Sequence, residues 1–202
     1  MERVALSIVW TILAYLLGSV PVGLLLARLK GKDPRRIGSG NIGATNVMRA
    51  AGKTMGVVTL VGDVLKGFLP TWLAGLLGLA VPVVGLAAFL GHLFPAYLRL
   101  KGGKGSATAL GVFLAFSPLA ALIDIIVFAF ILVRWRYVSL GSLVCAALMP
   151  ALLLVLGAPG LYVIPSAVMA VLIFIKHRAN ISRLVAGREN RIGGEGRDRS
   201  SR

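Results

Sequence analysis

Long apolar runs dominate the sequence and decide its environment. The five clearest runs are residues 4–27, 55–78, 82–98, 138–157 and 160–175. A helix needs about 20 apolar residues to cross a hydrocarbon core of about 30 Å. Charged residues make up only 14% of the chain, whereas soluble domains hold about 25%. The chain is therefore predicted to be an all-α integral membrane protein.

The stretch 106–133 decides the number of spans, because its middle Ser117-Pro118 makes it either one long span or two short ones. Basic residues are concentrated in four clusters, at 28–54, 99–104, 134–136 and 176–202. Positive residues stay on the cytoplasmic side, and only a division at Ser117-Pro118 puts all four clusters there. We therefore predict seven transmembrane helices, with the N-terminus outside and the C-terminus cytoplasmic. The fourth helix, 106–117, is about 18 Å long and should pack beside a polar cavity.

Two regions differ in composition. Residues 1–186 are predicted to form a single transmembrane domain, and 187–202, rich in Gly and Arg, a disordered cytoplasmic tail. The net charge of +15 would suggest nucleic acid in a soluble chain. Because the basic residues border apolar runs, anionic lipid and anionic substrates are the expected partners, and nucleic acid is not.

The polar segment 38–54, "GSGNIGATNVMRAAGKT", ends like a phosphate-binding P-loop. That motif requires a glycine where Val47 stands and a preceding strand, so the P-loop interpretation fails. The segment instead contains hydroxyl, amide and guanidinium groups at short spacing, which are suited to binding phosphate oxygens. They are Ser39, Asn41, Thr45, Asn46 and Arg49. The alternative is a solvated re-entrant loop that caps helix ends.

A second polar segment, 91–108, contains a Gly-rich stretch that precedes a helix. Its residues are Gly102, Gly103, Lys104, Gly105 and Ser106. Glycine N–H groups, a helix N-terminus and a lysine together can bind a phosphate. A flexible turn with a lysine reaching the interface is the alternative.

A third segment, 176–190, places His177 at the membrane surface with Asn180 on the same helical face. His177 could be either structural or catalytic. A smaller segment, 136–142, adds Ser142 as a candidate substrate contact.

Charged residues inside the spans have different expected roles. Asp63 and Lys66, at i and i+3, are expected to form a structural ion pair, since intramembrane charges are costly unless paired. His92 is expected to be a hydrogen-bonded packing residue. Asp124 stands alone in the fifth span, and the sequence offers no account of it.

The polar segments together resemble the three motifs of the bacterial PlsY family. The matching stretches are "SGNIGATNVMRAAG", "HLFPAYLRLKGGKGSAT" and "KHRANISRL" with Glu189-Asn190, and "GDVLKG" resembles a further recurrent feature. The resemblance covers about residues 1–190. It implies a multi-pass enzyme of the bacterial inner membrane that moves an acyl group from acyl phosphate to the 1-hydroxyl of glycerol 3-phosphate. The products would be lysophosphatidic acid and phosphate, in the first step of phospholipid synthesis.

The resemblance also implies residue roles. Ser39, Arg49, His177 and Asn180 would act in catalysis, Gly102, Gly103 and Gly105 would bind acyl phosphate, and Glu189 would be mainly structural. Lys104 is expected to join the catalytic residues because its charge can stabilise the departing phosphate. The enzyme would be a monomer without cofactor or metal, and neither acyl-CoA nor acyl carrier protein would be a donor. The His-x-x-x-x-Asp dyad of other glycerol-phosphate acyltransferases is absent, because Tyr97 and Ser182 stand at the two acid positions.

The proton of the attacking hydroxyl could pass to His177 or to the phosphate of the donor. The second route is favoured, because no carboxylate is placed to orient His177. A small transporter for organic phosphate and a non-catalytic scaffold are the competing functions. Short helices beside Gly-rich segments are also typical of transporters.

Overall fold

The structure, a computed structural model, describes residues 1–193, and its regular structure there is entirely helical. The helices are α1 Glu2–Ser19, α2 Val22–Leu29, α3 Ala44–Ala51, α4 Lys53–Leu76, α5 Val81–Leu93, α6 Ser106–Phe116, α7 Pro118–Trp135, α8 Val138–Val155, α9 Gly160–Lys176 and α10 Arg178–Val185. Short 3-10 turns lie at Pro34–Arg36, just before the polar segment 38–54, and at Ala96–Leu98, within the polar segment 91–108. The all-helical prediction is confirmed for this part of the chain.

Five stretches of the described chain are long and apolar enough to cross a membrane. They are Glu2–Leu29, Lys53–Leu76, Val81–Leu98, Pro118–Trp135 and Val138–Val155. Helices α9 and α10 make a sixth candidate, bent by 62°. Helix α6, with 11 residues, is about 16 Å long and cannot cross alone. Length and composition therefore identify five or six spans, and the predicted total of seven includes the short helix α6.

The break between α6 and α7 falls where the sequence predicts it. Ser117 is extended, with φ −146°, and Pro118 begins the next helix. Proline suits the first position of a helix, because its missing N–H would have no partner there. Helices α6 and α7 are thus separate, and α7, with 18 residues, is long enough to cross a membrane on its own.

Close backbone packing against α4 holds the short helix α6 in place. A Cβ on Gly67 would collide with the carbonyl of Thr108, and a Cβ on Gly111 would collide with the carbonyl of Val64. Helices α4 and α6 therefore cross at glycines on both sides, as small residues allow between membrane helices. Backbone contact compensates for the few turns that α6 contributes.

The predicted ion pair on α4 is confirmed. The Nζ of Lys66 lies 2.9 Å from Oδ1 of Asp63, and both side chains are buried. Lys66 also donates a hydrogen bond to the carbonyl of Val20, 2.9 Å away, where Pro21 interrupts the first span. The pair thus satisfies a carbonyl freed by the break between α1 and α2.

The start of the predicted tail lies against the bundle. The N–H of Ile192 donates to the carbonyl of Arg136, and Nε of Arg136 donates back to the carbonyl of Ile192, each at 2.9 Å. Glu189 is also held, by contacts described below. Residues 194–202, which the sequence assigns to the same disordered tail, lie outside the described residues.

Candidate active site

The polar segments meet at one end of the bundle and line a cavity of about 340 Å³. Most of the site residues predicted from the sequence line it. These are Ser39, Asn41, Thr45, Asn46, Arg49, Lys104, Gly105, Ser106, Ser142, His177 and Asn180. The prediction that distant polar segments come together on one face is therefore confirmed.

Asn46 organises the loop before α3. Its Nδ2 donates to the carbonyls of Pro34, Ile37 and Asn41 at 2.7, 3.0 and 2.8 Å. Its Oδ1 accepts the N–H of Ser39 at 3.0 Å. Through these backbone contacts the buried amide of Asn46 shapes the loop that carries Ser39. Asn46 also lines the cavity, and its predicted contact with substrate stays a prediction.

The neighbouring residues of this segment keep free donors at the cavity. Asn41 uses Oδ1 to accept the N–H of Gly43 at 2.7 Å, which leaves its Nδ2 available. Arg49, in the last turn of α3, is exposed and forms no hydrogen bond or ion pair within residues 1–193. The hydroxyls of Ser39 and Thr45 are likewise without a partner there. An unneutralised guanidinium beside three neutral donors is suited to an anion.

Gly102 and Gly103 are not among the residues that line the cavity, and their predicted role as direct phosphate ligands stays a prediction. A Cβ on Gly102 would collide with the carbonyl of His92, and one on Gly103 would collide with the imidazole ring. The N–H of Gly103 already donates to the His92 carbonyl at 3.1 Å. The two glycines are required because the chain packs tightly against the end of α5.

His92 differs from its prediction in one respect. It is buried and packed, as expected, but Nδ1 has no hydrogen-bond partner within residues 1–193. Nδ1 lies 3.5 Å from Oδ1 of Asp63, whose carboxylate is already paired with Lys66. The Nε2 edge of the ring faces Gly103, and the Nδ1 distance to Asp63 is longer than an ordinary hydrogen bond.

The N-terminus of α6 contributes to the cavity. Gly105 precedes the helix with a φ of +88°, a left-handed conformation that favours glycine. The first N–H groups of a helix lack intrahelical partners and carry a partial positive charge. The hydroxyl of Ser106 is buried there without a hydrogen-bond partner among the described residues. This end of α6 is suited to an anion.

Glu189 connects the second and third polar segments. Lys104 donates through Nζ to Oδ1 of Asn180, and Nδ2 of Asn180 donates to Oε1 of Glu189 at 2.6 Å. Ser139 donates to the same oxygen at 3.0 Å, and Nε of Arg183 lies 2.6 Å from Oε2. Glu189 therefore has the structural role expected of it, since it fixes Asn180 and through it Lys104.

Sequence reasoning missed Ser139 and Arg183. Both lie one helical turn from a predicted residue, Ser139 before Ser142 and Arg183 after Asn180. Residues at i and i+3 share a helix face, so this spacing was the available signal.

Burial lowers the pKa of Lys104 to about 8 from its ordinary value of 10.5. The carboxylate of Glu189 opposes this shift, whereas the charges of Arg183 and Arg49 add to it. Lys104 therefore remains mostly cationic at neutral pH, but it loses its proton far more readily than an exposed lysine.

His177 lies between α9 and α10, beyond the apolar part of the span. Its Nδ1 lies 2.9 Å from the carbonyl of Ile173, so Nδ1 carries the proton and Nε2 is the free acceptor. Burial, followed by the charge of Lys104, lowers the pKa of His177 to about 4. The imidazole is thus neutral at neutral pH, and its only side-chain hydrogen bond within residues 1–193 goes to the backbone.

Apolar side chains line the rest of the cavity. Leu60, Leu110, Phe113, Ile125 and Phe128 come from α4, α6 and α7. A single chamber thus joins a cationic end to a hydrocarbon-lined interior. It can hold an amphiphile with an anionic group.

Comparison with known proteins agrees with this chemistry. The family model described as "Glycerol-3-phosphate acyltransferase" matches residues 8–187. A glycerol-3-phosphate acyltransferase of Geotalea daltonii is 53% identical over 187 residues, covering 91% of this chain and 96% of the relative. The one from Geobacter sulfurreducens is 52% identical over 189 residues, covering 92% and 97%.

Solved structures give the same result. The chain matches the crystal structure of PlsY, an integral membrane glycerol 3-phosphate acyltransferase, in its glycerol 3-phosphate form. The TM-score is 0.90 and the identity 44%, and the match covers 93% of this chain and 96% of that chain. The lysophosphatidic acid form matches with a TM-score of 0.85 and 42% identity, over 93% and 95%. The resemblance found in the sequence is therefore confirmed, and the chain belongs to the glycerol-3-phosphate acyltransferase family of integral membrane enzymes.

Proposed function

We propose that the protein transfers a fatty acyl group from acyl phosphate to the 1-hydroxyl of glycerol 3-phosphate, giving lysophosphatidic acid and phosphate. The observation that carries this proposal is the single chamber with a cationic end and an apolar interior. Both substrates bear a phosphate, and one of them also bears a hydrocarbon chain. A chamber of this composition accommodates the headgroups at one end and the start of the acyl chain below them.

Phosphate binding falls to Arg49, Lys104 and the N-terminus of α6. The side chain of Arg49 has no partner among residues 1–193, so its charge is available for the substrate. Lys104 is held in position by its hydrogen bond to Asn180. The first N–H groups of α6 are the backbone donors at the cavity, which Gly102 and Gly103 do not line. Donors fixed before the reaction stabilise the charge that develops on the departing phosphate. Ser39 and Thr45 supply further hydrogen bonds.

Transfer is proposed to be direct, without an acyl-enzyme. The hydroxyl oxygen bonds to the acyl carbonyl carbon, the bond from that carbon to the phosphate oxygen breaks, and phosphate leaves. Holding the two substrates in reactive alignment can lower the barrier by roughly 7–11 kcal/mol. The residues then need only orient the substrates and exclude water.

The proton of the hydroxyl is proposed to pass to a phosphate oxygen of the donor. A general base works best when its pKa is near the working pH, and the pKa of His177 is about 4. Its backbone hydrogen bond leaves Nε2 free to accept a hydrogen bond from glycerol 3-phosphate. His177 therefore orients this substrate in the proposed mechanism.

We further propose seven transmembrane helices in the inner membrane, with the N-terminus outside and the active site cytoplasmic. The basic clusters support this orientation, because the residues around the cavity come from those same segments. We also propose that the enzyme acts as a monomer.

The decisive experiment uses purified protein in detergent with acyl phosphate and labelled glycerol 3-phosphate, scored for lysophosphatidic acid. Acyl-CoA and acyl carrier protein donors are tested in parallel, and Arg49→Ala serves as the inactive control. Product from acyl phosphate alone is expected. Absence of product from all donors would contradict the enzymatic function, and uptake of organic phosphate by vesicles would then support a transporter.

A further inference from the structure

Asp124 is a buried acid in the cavity wall that the proposed mechanism does not use. Its side chain is part of the lining, and the residue is only 7% exposed. Oδ1 has no hydrogen-bond partner among residues 1–193. The thiol of Cys145 donates to the backbone carbonyl of Asp124 at 3.3 Å and also lies beside its carboxyl group.

The other buried acid of the spans shows how unusual this is. Asp63 is paired with Lys66 at 2.9 Å and has the His92 ring nearby. Asp124 has no cation within 4.0 Å in the described part of the chain. An unpaired acid inside a membrane protein is costly and usually marks a functional site. A purely structural role would provide it with a partner.

Asp124 lies in the apolar part of the chamber. Ser139, which contacts Glu189, and Cys145, which contacts Asp124, are six residues apart on α8. At 1.5 Å per residue, the acid lies about 9 Å deeper than the polar network. Its neighbours in the lining include Phe113, Phe128 and Ala146. In the proposed reaction, which this inference presupposes, that depth belongs to the acyl chain.

We propose that Asp124 is a specificity-determining residue of the acyl compartment, where its carboxyl group hydrogen-bonds a hydroxyl group. The hydroxyl comes either from the acyl chain itself or from a water molecule that a plain chain must displace. A plain hydrocarbon chain that passes Asp124 leaves the carboxyl group without a partner. Leaving a buried polar group without a hydrogen-bond partner costs free energy. The enzyme therefore discriminates between acyl chains by whether they carry a hydroxyl group at the depth of Asp124.

The test is a competition between two acyl phosphates of equal length, one saturated and one carrying a hydroxyl at a position varied along the chain. The ratio of the two lysophosphatidic acids gives the ratio of kcat/KM without regard to how much enzyme is folded. Wild type, Asp124→Leu and Asp124→Asn are compared. Leucine has a similar size without polar atoms, and asparagine keeps the ability to hydrogen-bond.

Wild type should prefer acyl phosphates whose hydroxyl lies within one range of positions. Asp124→Leu should shift the ratio of kcat/KM for the hydroxylated and plain chains toward the plain chain by roughly 5- to 150-fold. Asp124→Asn should keep most of the preference. A series of plain chains separates the two sources of the hydroxyl: if water is the partner, Asp124→Leu also speeds transfer of chains long enough to reach it, relative to shorter ones. Unchanged ratios and chain-length profiles in Asp124→Leu would overturn the proposal. That outcome differs from loss of all product, which would instead contradict the proposed function.

Discussion

The pH dependence of turnover should report the protonation of Lys104. Its pKa of about 8 means that the side chain is about nine-tenths charged at pH 7 and about one-tenth charged at pH 9. The pKa is lowered, so the charge is present below pH 8 and lost above it. If the cation binds the departing phosphate, the contribution of Lys104 to kcat/KM should level off below about pH 7 and fall about tenfold between pH 7 and pH 9.

Two substitutions assign this decline to Lys104. Lys104→Arg keeps a cation that stays charged above pH 12, so the decline between pH 7 and 9 should disappear. Glu189→Gln removes the carboxylate that holds the pKa of Lys104 up, so the decline should move to lower pH. Lys104→Gln should cost about 10²–10³ in kcat at pH 7, as loss of an electrostatic donor does elsewhere, and less at pH 9, where the wild-type side chain is mostly neutral.

The assay measures initial rates of lysophosphatidic acid formation at subsaturating acyl phosphate, with spontaneous donor hydrolysis subtracted at each pH. Protonation of the substrate phosphates affects the pH profile only on its acid side, since the second pKa of a phosphate monoester is about 6. A decline that persists unchanged in Lys104→Arg would refute the role of Lys104. So would a decline that moves to higher pH in Glu189→Gln.

Three further outcomes are expected. Gly111→Ala should destabilise the protein by about 1–3 kcal/mol in detergent unfolding, because its Cβ meets a backbone carbonyl, whereas Gly160→Ala, which faces open space, should be neutral; equal losses would contradict the packing argument. Asp63→Asn should cost about 3–5 kcal/mol by leaving Lys66 unpaired, and adding Lys66→Met should recover part of it; a double variant less stable than the single one would count against the pair. His177→Ala should raise the KM for glycerol 3-phosphate and lower kcat less than tenfold, whereas a general base would contribute about 10²–10⁴.

The polar segments could be predicted from the sequence because each carries its own local signal. Arg49 stands among small residues, Lys104 precedes a helix, and His177 directly follows an apolar run. Charge counting then placed all three on one side, since basic residues mark one face of a membrane protein. The same counting located the break at Ser117-Pro118, which hydropathy alone would have left inside one long span.

Contacts between distant segments could not be predicted in this way. A glycine beside a lysine suggests an anion site, but whether its N–H points to a ligand depends on what packs behind it. In this structure the His92 carbonyl and ring lie behind Gly102 and Gly103. Similarly, the sequence does not show that the side-chain amide of Asn46 has four backbone partners. Such contacts depend on tertiary packing that sequence spacing does not encode.

The short helix α6 connects the fold to the chemistry. It begins at the cavity with Ser106, and its other end, at Phe116, packs against Tyr162 in the first turn of α9. Its N-terminus can therefore face a phosphate while Leu110 and Phe113, further along the same helix, line the apolar interior. The glycine crossing with α4 fixes this arrangement. A mildly destabilising Gly111→Ala enzyme should consequently lose discrimination between acyl chains as well as stability, because displacing α6 moves the phosphate end and the acyl wall together.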